Sequence, residues 1–364
     1  MNPMKPALVL FAILFLSTTS ALLHAQPAPA DPPYSAIYVF GDSWSWTAGG
    51  PYWRSHWANG PMWPELLSTN WGLAYVPVHN YAGAATTSDV IGSQVPRFRG
   101  SSNAPTALFV VWAGGNDLWY HLFPNNTLNP AALTNANGWS NLFVRMTRNL
   151  SNSVVRLHQN GARTLMVSDL DAVPRSPGFA NRLTSAQRVQ VGEQVQVFNR
   201  VLADALAALD AAIPNLRILR FDLHDRWDAF LDEAVTLGFV RTDLGALLDP
   251  ALKDKSFTGP GRDYVFWDEN HTTSRTHEVW AGWLGEVATQ TRTESLRLRA
   301  DGDALALELS KLKPGRVYAM EISSNLVEWG VQESFTADEG TNTVRLASAP
   351  QAPGVRAFRL SWTE

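Results

Sequence analysis

The sequence predicts an α/β fold, a three-layer α/β/α sandwich with a mostly parallel sheet, followed by a small C-terminal all-β module. Short β-branched and aromatic runs alternate with long segments of helical spacing as far as residue 290. Such alternation is the pattern of parallel strands joined by crossover helices that cover both faces of the sheet. Beyond residue 290 the apolar residues instead recur every second position between Gly-containing turns, as in antiparallel strands.

Taken in order, the N-terminus carries Lys5, an apolar run over 7–16, and small residues at Ala21, Ala25, Ala28 and Ala30. This layout predicts a secretory signal peptide over 1–25, its apolar run short for a bilayer span, and hence a secreted or periplasmic protein, with an uncleaved N-terminal anchor as the competing reading. A Pro-rich linker over 26–34 follows, then a main domain over 35–290 and an accessory β-sandwich-like module over 294–364. Strands are expected at 36–40, 107–112, 163–168 and 216–221. Leu142, Phe143, Met146, Leu150 and Leu157 share one helical face, as do Val191, Val195, Phe198, Leu202, Leu206 and Leu209. The second of these helices opens on Thr184, with Gln187 three residues on, so the two side chains can satisfy each other's backbone donors. A last helix over 273–288 places Trp280, Leu284 and Val287 on one face. The module's strands are read at 296–298, 304–309, 317–322, 343–346 and 357–362.

Composition narrows the function classes. The 364 residues are 45% hydrophobic and 17% charged, enough to bury a sizeable core. A net charge of −4 and the lack of a long basic run favour neither nucleic acid nor an anionic membrane surface as partner. The chain has no cysteine, so core burial rather than disulfides must stabilise it, and thiolate chemistry is excluded. His56, His79, His121 and His224 lack the spacing of metal ligands.

Three blocks carry chemistry. Tyr38-Val39-Phe40-Gly41-Asp42-Ser43 ends a strand on a serine, Trp112-Ala113-Gly114-Gly115-Asn116-Asp117 ends another on an amide, and Phe266-Trp267-Asp268-Glu269-Asn270-His271 sets a carboxylate three residues before an imidazole. A serine hydroxyl is a poor nucleophile unless a base takes its proton and donors stabilise the oxyanion. Histidine ordinarily titrates near ~6.5 and can serve as that base, and a neighbouring carboxylate fixes its tautomer. Ligands of open α/β sheets gather at the carboxyl ends of strands, and Ser43 and Asn116 both lie just past a predicted strand end.

These blocks, in this order, resemble the SGNH hydrolases, also called GDSL esterases and lipases. The resemblance runs from about residue 37 to about 281 and includes Asn59-Gly60-Pro61-Met62-Trp63-Pro64-Glu65. It implies a cofactor-free serine hydrolase of carboxylic esters, with no metal, in which Ser43 is the nucleophile, His271 the base and Asp268 its orienting carboxylate. It also implies an oxyanion hole built from the Ser43 N–H, a backbone N–H of the second block and the Asn116 amide. That second block, Asn80-Tyr81-Ala82-Gly83-Ala84-Ala85-Thr86-Thr87, is one residue shorter than the family's, so Gly83 is the expected donor, with Ala84 as the alternative. Trp44 and Trp46, where the family often shows Leu and Asp, and Thr272, where Pro is usual, leave the substrate subclass open. Trp44 and Trp46 are candidate substrate-binding residues. Lipid or short-chain acyl esters are the first expectation and O-acetylated polysaccharide the second. A glycan-binding protein without turnover is the rival of another class.

Overall fold

The computed structural model describes residues 32–289 and, beyond them, six strands between residues 295 and 362. The expected signal peptide and most of the expected linker lie outside the described residues. Four parallel strands form the main sheet in the order β1 (Ile37–Gly41), β2 (Leu108–Trp112), β3 (Thr164–Ser168) and β4 (Arg217–Phe221). Val39 pairs with Val110, Val110 with Met166, and Met166 with Leu219. The helices are α1 (Trp63–Asn70), α2 (Val90–Ser93), α3 (Gly115–Leu122), α4 (Pro130–Thr134), α5 (Ala136–Gln159), α6 (Pro177–Ala180), α7 (Ser185–Ala212), α8 (Leu223–Glu233) and α9 (Ser274–Thr289).

The side-chain alternation of the strands sorts the core into two halves. Tyr38, Phe40, Phe109, Val111, Leu165 and Val167 face a cluster closed by α5 and α7 through residues such as Met146, Leu150, Val195 and Phe198. Ile37, Val39, Leu108, Val110 and Met166 face the opposite cluster, closed by Trp63 and Leu67 of α1, Trp227 of α8, and Trp280 and Leu284 of α9. The result is the expected three-layer sandwich with its parallel sheet buried between helices. The Thr184 cap is present in full: the Gln187 N–H donates to the Thr184 hydroxyl and the Thr184 N–H to the Gln187 side chain.

Close approach of two strand ends explains Gly41. A Cβ there would sit 2.1 Å from the Trp112 carbonyl oxygen, so only glycine allows the ends of β1 and β2 to meet this tightly. The loops after both strands are thereby brought to one edge of the sheet.

Contacts divide the chain between Ala288 and Thr289. The C-terminal unit holds two three-stranded antiparallel sheets, β5 (Ser295–Asp301), β6 (Ala304–Ser310) and β9 (Asn342–Leu346), and β10 (Ala357–Trp362), β7 (Val317–Ser323) and β8 (Gly330–Thr336). β8 has no counterpart in the sequence reading. Its Gly330 start and the polar run Gln332-Glu333-Ser334 mask the alternation of Val331 and Phe335. Tyr318 of β7 is fully buried and stacks on Phe335 at 6.0 Å between ring centres.

Candidate active site

Each reactive side chain is delivered by a turn at the end of an element. Ser43 follows β1 in a tight turn closed by the Ser45 N–H on the Asp42 carbonyl, while the Asp42 carboxyl accepts the Trp44 N–H at 3.0 Å. The segment 267–271 doubles back on itself. The Trp267 N–H donates to the His271 carbonyl, and Phe266 and Thr272 form an antiparallel bridge. The Asp268 carboxylate sits inside this turn, where its Oδ1 accepts the N–H groups of Asn270 and His271, both at 2.7 Å.

The structure brings Ser43, His271 and Asp268 into one line. The Ser43 Oγ lies 3.0 Å from His271 Nε2, and His271 Nδ1 lies 2.7 Å from Asp268 Oδ2. An ionised Asp268 is acceptor-only, so Nδ1 carries the proton and Nε2 faces the serine as acceptor. Burial works to raise the Asp268 pKa, but the attraction of His271 and the hydrogen bonds from His271, Tyr52 and the Asn270 N–H outweigh it and hold the carboxyl below its ordinary range.

Asn116 is the second residue of α3, and its side-chain Nδ2 donates to the Thr86 carbonyl at 3.0 Å. Asn116, Ser43 and His271 all line one cleft of about 480 Å³. The second block differs from expectation. The Gly83 N–H donates to the Gly41 carbonyl at 3.0 Å, so it continues the sheet edge and has no hydrogen left for an oxyanion. Ala84 and Ala85 line the cleft in its place. Ala85 holds the left-handed conformation at φ 55°, uncommon for a residue with a Cβ and a point of local strain.

The two tryptophan expectations separate. Trp44 lines the cleft, with its indole N–H donated to the Asn270 carbonyl at 2.8 Å and its ring stacked on Trp280 at 4.9 Å. Trp46 does not line the cleft. Its ring covers Gly49, where a Cβ would lie 2.0 Å from the indole, and it packs against the core.

Tyr52 and Gln94 are absent from the sequence reading, and Trp57 figures there only as one of the tryptophans crowding the stretch after Ser43. The Tyr52 hydroxyl donates to Asp268 Oδ2 at 2.7 Å from 216 residues away, and the Trp57 ring lies 4.6 Å from the His271 ring. Gln94 is buried and clamps Gly41, accepting its N–H at 2.8 Å and donating to its carbonyl at 2.7 Å. No local pattern marks Tyr52 or Gln94; the tryptophan-rich stretch after Ser43 is the signal for Trp57. Among the described residues, no group of three or more His, Cys, Asp or Glu side chains is arranged to hold a metal, and no helix is long and apolar enough to cross a membrane.

Comparison with known proteins gives the family of the chain. Residues 37–284 match the family model of the GDSL-like lipase/acylhydrolases. The GDSL esterase/lipase EXL2 of Arabidopsis thaliana is 26% identical over 186 residues, covering 48% of this chain and 48% of that protein. A second Arabidopsis thaliana GDSL esterase/lipase is 24% identical over 173 residues, covering 48% and 49%. The chain thus spans about half the length of the curated relatives it matches. Among solved structures, a gut microbial diltiazem-metabolizing enzyme aligns with a TM-score of 0.41 at 11% identity, over 85% of this chain and 63% of that one. With the family match extending over most of its length, the chain belongs to the GDSL-like lipase/acylhydrolase family.

Proposed function

We propose that this protein is an exported serine esterase that hydrolyses carboxylic esters through an acyl-enzyme. One observation carries the reading: the unbroken relay from Ser43 Oγ to His271 Nε2 at 3.0 Å and from His271 Nδ1 to Asp268 Oδ2 at 2.7 Å. In this mechanism the Ser43 oxygen attacks the ester carbonyl as its proton passes to His271 Nε2. Asp268 stabilises the imidazolium without itself taking the proton.

The oxyanion that forms is received by the Ser43 N–H, the Asn116 amide and, because Gly83 is committed to Gly41, the N–H of Ala84. His271 then protonates the departing alcohol. A water activated by the same imidazole attacks the acyl-enzyme, and its collapse frees the acid and restores Ser43. No cofactor takes part in this sequence. The assigned catalytic residues are Ser43, His271 and Asp268, with Trp44 in the cleft wall. Export rests on the N-terminal pattern of Lys5, the apolar run over 7–16 and the small residues after it.

The test is hydrolysis of p-nitrophenyl acetate and of longer-chain p-nitrophenyl esters. Wild type is expected to release p-nitrophenol and to be labelled stoichiometrically at Ser43 by an organophosphonate, and Ser43→Ala to do neither. Equal turnover by the two proteins would refute the assignment.

A further inference from the structure

The floor of the cleft holds three aspartates that the acyl-transfer mechanism does not use. Asp42, Asp169 and Asp171 all line it, and each is only 7% exposed. Two have partners. Asp42 accepts the Trp44 N–H, and Asp169 accepts the His224 N–H at 3.1 Å. Asp171 differs, because its carboxyl accepts a hydrogen bond from its own N–H and none from any other described residue. Its position is nevertheless held firmly, since the adjacent Leu170 is gripped through both its N–H and its carbonyl by the Asn199 side chain, at 3.0 and 2.8 Å.

One internal N–H leaves most of a buried carboxyl's hydrogen-bonding capacity unused, at a cost of about 1–3 kcal/mol unless something else bonds it. Here that something has to enter through the cleft. An apolar acyl chain laid over this floor would seal the underbonded carboxyl away from water. An ammonium would need ionised carboxyls, whereas burial first, and then the mutual repulsion of Asp42, Asp169 and Asp171, raises Asp171 to about 7. Asp42 and Asp169 are likewise lifted to about 7, chiefly by burial. Near neutrality such carboxyls both donate and accept, as alcohols do. The walls match the same ligand. Trp57, Trp119 and Tyr120 offer flat aromatic surface, and Arg182, which lies over the Trp119 ring at 4.9 Å, adds N–H donors while its charge is balanced by Glu269 at 3.0 Å.

We propose that Asp171 is the specificity-determining residue of a hydroxyl-recognising subsite, and that the natural substrates are esters of sugars or comparable polyols. The substrate class rests on the hydrolase reading, whereas the subsite itself does not.

The experiment compares glucose 6-acetate with ethyl acetate, which share an acyl group and differ in the hydroxyls of the alcohol, on wild type, Asp171→Asn and Asp171→Leu. Wild type is expected to favour the sugar ester by at least about tenfold in kcat/KM, and the leucine variant to lose most of that preference through KM. Leucine has as many side-chain heavy atoms as aspartate but is bulkier, and it removes a buried polar group; the asparagine variant, matched to aspartate in size and shape, keeps the test decisive if leucine perturbs the fold. In parallel, tryptophan fluorescence of the full chain is titrated with free glucose, expected to bind at least about fivefold more weakly to Asp171→Leu. A preference for the sugar ester that is equal in wild type and variant overturns the proposal. So does a stronger preference for acetylcholine that disappears on substitution, which would mean that the carboxyls read a cation. If no ester is cleaved at all, the hydrolase reading fails, and the glucose titration still decides the subsite.

Discussion

Four hydrogen bonds converge on Asp268, and their distribution between its two oxygens makes Tyr52 a residue of interest. Oδ1 takes two main-chain N–H groups, while Oδ2 takes both the His271 imidazole and the Tyr52 hydroxyl. Burial raises the tyrosine pKa, and the nearby carboxylate raises it further, so the phenol stays protonated as a donor. Removing that donor frees the carboxylate plane to turn and exposes His271 to a more basic partner. A charge-assisted hydrogen bond is worth about 1.5–3 kcal/mol, of which part is felt in the transition state. Tyr52→Phe is therefore expected to lower kcat/KM by about 3- to 30-fold and to displace the acid limb of its pH profile; an unmoved profile would make Tyr52 purely structural. Asn116→Ala should cost about 10²- to 10³-fold in kcat with little change in KM, the behaviour of a lost oxyanion donor. The sequence brought Ser43, Asn116, Asp268 and His271 into view because each stands in a short motif whose spacing is local. Gly83 and Trp46 were misplaced because the direction of an N–H or an indole depends on what packs beside it.

At the scale of elements, the turn 267–271 that carries Asp268 and His271 is held from three sides. The Gly178 N–H of α6 donates to the Glu269 carbonyl at 2.7 Å, Arg182 pairs with the Glu269 carboxylate, and Trp44 reaches the Asn270 carbonyl. A Cβ on Gly178 would stand 2.0 Å from the Asn270 side-chain oxygen. Gly178→Ala is accordingly expected to push the turn away from Ser43, reducing kcat at least about tenfold while costing only about 1–3 kcal/mol of stability, as checked by kinetics alongside urea unfolding. Wild-type kinetics in this variant would mean that the turn accommodates the methyl. The four strands of the main sheet were legible because buried parallel strands are short continuous apolar runs, and α7 because its cap and its stripe of apolar residues agree. Helix α5 begins at Ala136, ahead of the apolar run read from Leu142. Its first turn is set by the Asn135 side chain accepting the Gly138 N–H, a cap that carries no hydrophobic signal.

For the molecule as a whole, the buried aspartates couple the cleft to stability. Asp171 has a folded pKa of about 7, above its ordinary value near ~3.9. The folded state therefore binds the extra proton between those limits, and wild type loses stability as pH rises through that window. Asp171→Asn cannot titrate. It should match wild type near pH 4 and gain on it toward pH 7, with a slope of at most about 1.4 kcal/mol per pH unit and a plateau above. Urea midpoints at pH 4.5, 6 and 8 measure this, and a difference independent of pH would exclude the coupling. His277 works in the opposite sense. Burial and the neighbouring histidines hold it down at about 3, so its contribution is present at neutral pH and is lost as pH falls below the ordinary histidine range. The order of strands and helices, the two apolar faces of the sheet and the identity of the reactive blocks follow from local pattern, because periodicity and turn chemistry act over a few residues. The Tyr52 contact with Asp268, the withdrawal of the Gly83 N–H and the isolation of the Asp171 carboxyl were decided by folding, since each depends on which distant backbone or side chain arrives within hydrogen-bond range.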